Sequence, residues 1–132
     1  MYIDIKSWDA MLIHVKNNAP LEACGLLAGK NNSVEKVFLI TNQAQSPVRF
    51  RMDPTEQLNA LESIDSNGLE LLAIFHSHPT GPETVSATDI EEAAYPVVNI
   101  IWSTNNRSWQ AHGFLIEDGR ATEVELQIVK GE

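Results

Sequence analysis

The chain has 132 residues, enough for one domain whose core needs no disulfide staple. Hydrophobic residues make up 43% and charged residues 20%, which excludes an intrinsically disordered chain. Eighteen acidic side chains against nine basic ones leave a net charge of −9, which argues against nucleic acid or an anionic membrane as the main partner.

Residues 1–132 read as a single domain, with no internal repeat, low-complexity tract or long linker. The first residues, Met1 to Lys6, lack the apolar stretch of a secretory leader. The longest apolar run, Leu71 to Phe75, falls far short of the roughly 20 residues of a membrane span. Cys24 is the only cysteine, so neither an internal disulfide nor a CxxC site is possible. Together these features point to the cytoplasm.

Ser7 is placed to cap a first helix, with Trp8, Met11, Leu12 and Val15 on one face and Asn17-Asn18-Ala19-Pro20 ending it. Glu22 to Ala28 and Val34 to Thr41 read as strands joined by the turn-rich Gly29 to Ser33. A second helix is marked by Asp53 as N-cap, Pro54 at its first position, Glu56 completing a capping box and Asn67-Gly68 as the stop. Its apolar positions are Leu58, Leu61 and Ile64. A buried strand, Leu69 to His76, precedes a polar loop containing Pro79, Gly81 and Pro82. Ser86 opens a short helix to about Ala94, and strands follow at Val97 to Ser103, Gln110 to Ile116 and Ala121 to Val129. Asp118-Gly119 is the hairpin turn between the last two. The pattern predicts an α/β or α+β architecture: a mixed sheet flanked by two long helices and one short helix.

The densest polar cluster is His76-Ser77-His78-Pro79 followed by Ser86-Ala87-Thr88-Asp89. Residues at i and i+2 of a strand share a face, so His76 and His78 can converge on one ion while Ser77 points away. Two imidazoles and a carboxylate make the three-ligand shell of an open zinc site with water in the fourth position. Each piece has a plainer reading. A lone His-x-His is a weak signal, and Ser86-x-x-Asp89 is equally a capping box. His14 and His112 read as structural or surface histidines. A metal hydrolase also needs a carboxylate that is not a ligand, to take the water's proton and pass it on. Glu22 opens an otherwise apolar strand, where a carboxylate is costly unless paired. Its plain reading is a solvated residue at the strand edge.

Glu22, then His76-Ser77-His78-Pro79, six residues, Ser86, two residues and Asp89 resemble the signature of the JAMM (MPN-plus) metalloprotease family. Cys24-Gly25-Leu26-Leu27, the helix introduced by Met52-Asp53-Pro54 and the strand Leu71 to Phe75 resemble its bacterial and archaeal single-domain members. The likeness runs from about Ile3 to Val129 and implies a mixed, cytidine-deaminase-like α/β fold. It implies that His76, His78 and Asp89 bind one Zn²⁺, that Glu22 is the general base and proton shuttle, and that Ser86 hydrogen-bonds the oxyanion. No departure occurs at these five positions. The resemblance further implies hydrolysis of the amide bond after the C-terminal Gly-Gly of a ubiquitin-like modifier or a sulfur-carrier protein. Val48 to Met52 and the Thr80-to-Val85 loop are placed to flank a slot for such a tail, and Arg49 and Arg51 read as solvated.

Three other readings compete. Cys24 shares a strand face with Glu22, so a thiol nucleophile near His76 is conceivable. The chain could instead be a non-catalytic binding or scaffold module for a ubiquitin-like partner, as inactive family members are. Two histidines and a carboxylate also suit non-haem iron, although Glu22 and Ser86 fit hydrolysis better.

Overall fold

A computed structural model describes residues 1–93, 95–105 and 108–130. In chain order the elements are β1 (Tyr2–Asp4), α1 (Ile5–Asn18), β2 (Cys24–Lys30), β3 (Ser33–Ile40), α2 (Pro54–Ser66), β4 (Glu70–His78), α3 (Ala87–Glu91), β5 (Val98–Asn105), β6 (Ser108–Glu117), β7 (Arg120–Val124) and β8 (Gln127–Val129). The eight strands form one mixed sheet in the order β7-β6-β5-β4-β2-β3-β1-β8. β4 and β5 run parallel, as β1 does with both β3 and β8, and the other pairs are antiparallel. β7 and β8 stand at opposite ends of this order, yet only Glu125 and Leu126 separate them in sequence. The sheet therefore curls until its two ends approach each other.

Helix α1 packs into the curl against β1, β3 and β8. Its Met11 and Val15 join Leu27, Ala73, Phe75, Ile100 and Trp102 in one core, and Trp8 lies against Trp102 with ring centroids 4.8 Å apart. On the opposite face a second core unites Cys24, Leu26, Ile40, Met52, Ile74 and Ala60 of α2. Covered on both faces, β2 and β4 carry continuous apolar runs instead of an alternating pattern. Gly25 is required by this packing: a Cβ there would run into the Phe75 ring and the Phe38 carbonyl.

Local chemistry departs from the sequence expectations at several points. Asp4, not Ser7, caps α1: its carboxylate accepts from the Ser7 amide at 3.3 Å, and Ser7 is buried within the helix. Asp53 caps α2 as expected, but Glu56 turns away from a capping box. Its carboxylate accepts from the amide and hydroxyl of Thr41 at 2.9 and 3.1 Å, while the Asp53 amide donates to the Thr41 carbonyl. Leu58 is exposed, and Ala60 with Ile64 forms the buried face of α2. The stretch read as one strand from Ala121 to Val129 is two, β7 and β8, on opposite ends of the sheet. Asn31-Asn32 and Asp118-Gly119 have positive φ at both positions, which suits the right-handed twist of tight hairpins. No helix among the described residues is long and apolar enough to cross a membrane.

Candidate metal centre

β4 runs on through both histidines before the chain turns at Pro79. His76 and His78 alternate with Ser77, so both rings face away from α1 while Ser77 faces toward it. The Ser77 hydroxyl accepts from the Ala23 amide at 2.8 Å, and the Ser77 amide donates to the Ala23 carbonyl at 3.0 Å. These bonds pin the residue next to Glu22 onto the histidine strand. The rings meet: His76 Nε2 and His78 Nε2 are 3.1 Å apart.

Ser86 and Asp89 do what a capping box does and more. The Ser86 hydroxyl accepts from the Asp89 amide at 3.0 Å, and Asp89 Oδ2 accepts from the Ser86 amide at 2.9 Å. The same carboxylate reaches the histidines, with Oδ1 3.2 Å from His76 Nε2 and Oδ2 3.2 Å from His78 Nε2. The helix start thus serves as the mount that aims Asp89. Donors on a tetrahedral ion with bonds of about 2.0–2.1 Å lie roughly 3.3 Å apart. The two ring nitrogens stand 3.1 Å apart, and each lies 3.2 Å from one oxygen of Asp89, spacings close to that size. Burial opposes ionisation of Asp89, but hydrogen bonds from His76 and His78 outweigh it and hold the carboxyl far below its usual range. Burial lowers the His76 pKa despite Asp89. For His78 the Asp89 hydrogen bond and the Pro82 carbonyl overcome burial and raise it.

Glu22 lies just ahead of β2, with its backbone fixed on both sides. Its amide donates to the Ser46 carbonyl at 2.8 Å, and its carbonyl accepts from Asn42 Nδ2 at 2.9 Å. The side chain is 3% exposed, and Oε1 has no hydrogen-bond partner among the described residues. A carboxylate oxygen of Glu22 and a ring nitrogen of each of His76 and His78 lie within 4.8 Å of one another, a grouping that could hold a metal ion. Desolvation pushes the Glu22 pKa up to about 7, which His78 partly opposes and Asp89 reinforces. Two carboxylates thus face the histidines: Asp89, held ionised against both rings, and Glu22, poised to exchange a proton near neutrality.

A cavity of about 330 Å³ opens beside His76 and Asp89, walled by Phe50, Met52, Ile74 and Tyr95. Of the two segments expected to flank a slot, Val48 to Met52 contributes here through Phe50, Arg51 and Met52. From the other segment, Glu83 and Thr84 line a separate depression with His112, Phe114 and Glu123. Arg49 pairs with Glu92 at 3.5 Å across an exposed surface, an arrangement worth little in water. Sequence reasoning missed Phe50, which stacks on His76, and Asn42, whose amide knits the loop to Glu22. Neither carries a motif, and only tertiary contact reveals them.

The remaining candidates stand outside the cluster. Cys24 pairs with His76 across β2 and β4, but its thiol is fully buried and donates to the Ile40 carbonyl at 3.5 Å. Burial, with the charges of Glu56 and Glu22, pushes its pKa up to about 12, so no thiolate is at hand for nucleophilic attack. His14 bonds the Cys24 carbonyl at 3.1 Å from the α1 side, and His112 sits 3.6 Å from Glu123.

Residues 5–112 match the family of prokaryotic homologs of the JAB domain. The chain belongs to the prokaryotic JAB family. It is 37% identical over 118 residues to a desampylase of Pyrococcus furiosus, covering 89% of this chain and 83% of that one. To a probable TtuB-protein conjugate cleaving protease of Thermus thermophilus it is 39% identical over 108 residues, covering 81% and 70%. To a CysO-cysteine peptidase of Mycobacterium tuberculosis it is 31% identical over 126 residues, covering 92% and 86%. Among solved structures, a Desulfitobacterium hafniense protein superposes with a TM-score of 0.88 at 36% identity, covering 99% of this chain and 94% of that one. The JAB1/MPN domain protein of Archaeoglobus fulgidus shares the fold, with a TM-score of 0.62 at 20% identity over 98% and 99% of the two chains.

Proposed function

We propose that this JAB-family chain, residues 1–132 acting as one catalytic unit, is a zinc-dependent peptidase. Its substrate is the amide bond that follows the C-terminal Gly-Gly of a ubiquitin-like modifier or sulfur-carrier protein. Relatives named a desampylase, a probable TtuB-protein conjugate cleaving protease and a CysO-cysteine peptidase support the reaction class. The observation that carries the mechanism is the division of labour between two carboxylates. Asp89 contacts both histidines, whereas Glu22 leaves a buried oxygen unpartnered beside them.

His76, His78 and Asp89 would hold the zinc, which supplies Lewis acidity and brings the pKa of water to about 7. Glu22 takes the proton from the attacking water and returns it to the departing nitrogen. Burial raises its pKa to about 7 in the metal-free protein, and the dication would favour the anion that accepts the water's proton. Ser86 accepts from the Asp89 amide, so its own hydroxyl proton stays available to donate to the negative charge growing on the carbonyl oxygen. The apolar wall of Phe50, Met52 and Tyr95 limits water on that side of the site.

The test uses a ubiquitin-like protein whose terminal Gly-Gly is joined to a lysine through an isopeptide bond, and the same protein joined to cysteine through a peptide bond. Cleavage by the wild type, its loss with a chelator and its return with zinc are expected. Glu22→Gln should retain zinc and lose activity, whereas Asp89→Asn should lose both. A zinc-loaded wild type that binds these proteins without cutting either would favour the scaffold reading. Full activity of zinc-loaded Glu22→Gln would remove the base assignment.

A further inference from the structure

The two histidines are held in different ways. His78 has an outer partner, with Nδ1 2.9 Å from the Pro82 carbonyl, the kind of bond that fixes the tautomer and angle of a metal-binding imidazole. His76 Nδ1 is buried and has no hydrogen-bond partner among the described residues. Rotation about the Cβ–Cγ bond of a histidine has a broad profile, so without that bond something else must set the ring plane. Phe50 lies over the His76 ring, with centroids 4.4 Å apart and planes inclined by 24°. The His78 ring meets His76 edge-on at 4.9 Å.

Phe50 belongs to a largely exposed loop, yet its backbone is fixed from both sides. The Asn42 side chain accepts from the Ala44 and Arg51 amides at 3.0 and 2.9 Å, and donates to the Glu22 and Arg49 carbonyls at 2.9 and 3.1 Å. Arg49 and Arg51 are the neighbours of Phe50, so one amide group ties that ring to Glu22. Met52, buried in the α2-side core and bridged to Asn42, anchors the end of the loop.

We propose that Phe50 is a positioning residue for the metal centre. Its ring replaces the missing outer hydrogen bond of His76 and keeps Nε2 aimed at the ion, and Asn42 holds Phe50 in place. The proposal rests on the metal-centre reading above and assigns Phe50 no contact with the reacting bond. Stacking needs an aromatic face, so size and shape should separate: tyrosine retains the function, and leucine, similarly apolar, does not.

The experiment is a zinc titration of the full chain against a competing chelator, for wild type, His76→Ala, Phe50→Tyr, Phe50→Leu, Phe50→Ala and Asn42→Ala. Outer partners of metal ligands typically contribute about 10–100-fold in affinity. Phe50→Leu and Phe50→Ala should therefore bind zinc about 10-fold more weakly, Asn42→Ala should weaken it in the same direction, and Phe50→Tyr should stay within about 2-fold of wild type. A cobalt-loaded sample adds a spectroscopic readout, in which the leucine variant changes the ligand-field bands and the tyrosine variant does not. Should Phe50→Ala fail to fold, Phe50→Leu decides. Wild-type affinity and spectrum in Phe50→Leu overturn the proposal. A wild type without zinc affinity, or His76→Ala binding as tightly as wild type, would instead overturn the metal-centre reading itself.

Discussion

Glu22→Gln offers a test that needs no substrate. In the metal-free protein burial raises the Glu22 pKa from 4.5 to about 7. The folded state therefore binds this proton more tightly than the unfolded state. As pH rises through 4.5 the unfolded chain releases the proton while the folded chain retains it, so stability falls until about pH 7 and then levels off. Below the lower value the carboxyl is neutral in both states and the cost vanishes. Full conversion of the shift gives about 3 kcal/mol, and relaxation of the protein around the buried charge reduces this to about 2 kcal/mol. Glutamine cannot ionise, so the variant should exceed wild type by about 2 kcal/mol at pH 8 and match it near pH 4. In a domain of this size that is a difference of roughly 5–8 °C in Tm. Thermal melts of both proteins in chelator across that pH range provide the measurement. A difference in Tm that does not change with pH would refute the reasoning, because it would locate the effect in packing and not in ionisation. Zinc should also narrow the gap, since a nearby dication favours the glutamate anion.

Other substitutions probe the remaining parts. Ser86→Ala should lower kcat by about 10²–10³-fold with zinc still bound. Losing the α3 cap should cost about 1 kcal/mol, measured by chemical denaturation; unchanged kcat would remove Ser86 from the reaction. Gly25→Ala forces a methyl group into the Phe75 ring and the Phe38 carbonyl, and should destabilise the fold by about 1–3 kcal/mol. A denaturation midpoint at the wild-type value would contradict the packing described here. Cys24→Ala should retain activity, and an alkylating agent should leave the native enzyme unaffected, because the thiol is buried and un-ionised. Inactivation by alkylation under native conditions would revive the thiol mechanism.

The chemistry of the site was more legible than its supports. His76, His78, Ser86 and Asp89 lie on adjacent segments, where strand alternation and a helix cap fix the geometry locally, so their spacing carries the information. Glu22 was legible as a carboxylate heading an apolar strand, but its neighbours were not. Asn42 acts through four hydrogen bonds to loop backbone, and Phe50 acts through a ring it meets only in the folded chain. Strand β1 escaped notice because three residues become a strand only by pairing with β3 and β8. The break between β7 and β8 was hidden for a related reason. Ala121 to Val129 alternates without glycine or proline, and only the curl of the sheet sends its two halves to opposite ends. Glu56 likewise chose its partner, Thr41, by tertiary position and against the local capping pattern, whereas Asp4 is a local cap at the end of β1, ahead of the serine expected.

That curl has a consequence for how the chain is made. Met1 and Tyr2 are made long before their partners in β8, Gln127 and its neighbours, and the Met1 nitrogen donates to the Glu125 carbonyl at 3.1 Å. Until residues 125–129 emerge, β1 can pair with β3 but keeps its other side bare, and such an edge invites a strand from another chain. Contacts this distant in sequence form late, because closing so long a loop is entropically costly. The nascent domain thus carries an open seam until β8 emerges, and the three residues of that strand close it. Translation rate and chaperone access should bear more heavily on its yield than the stability of the finished fold would suggest.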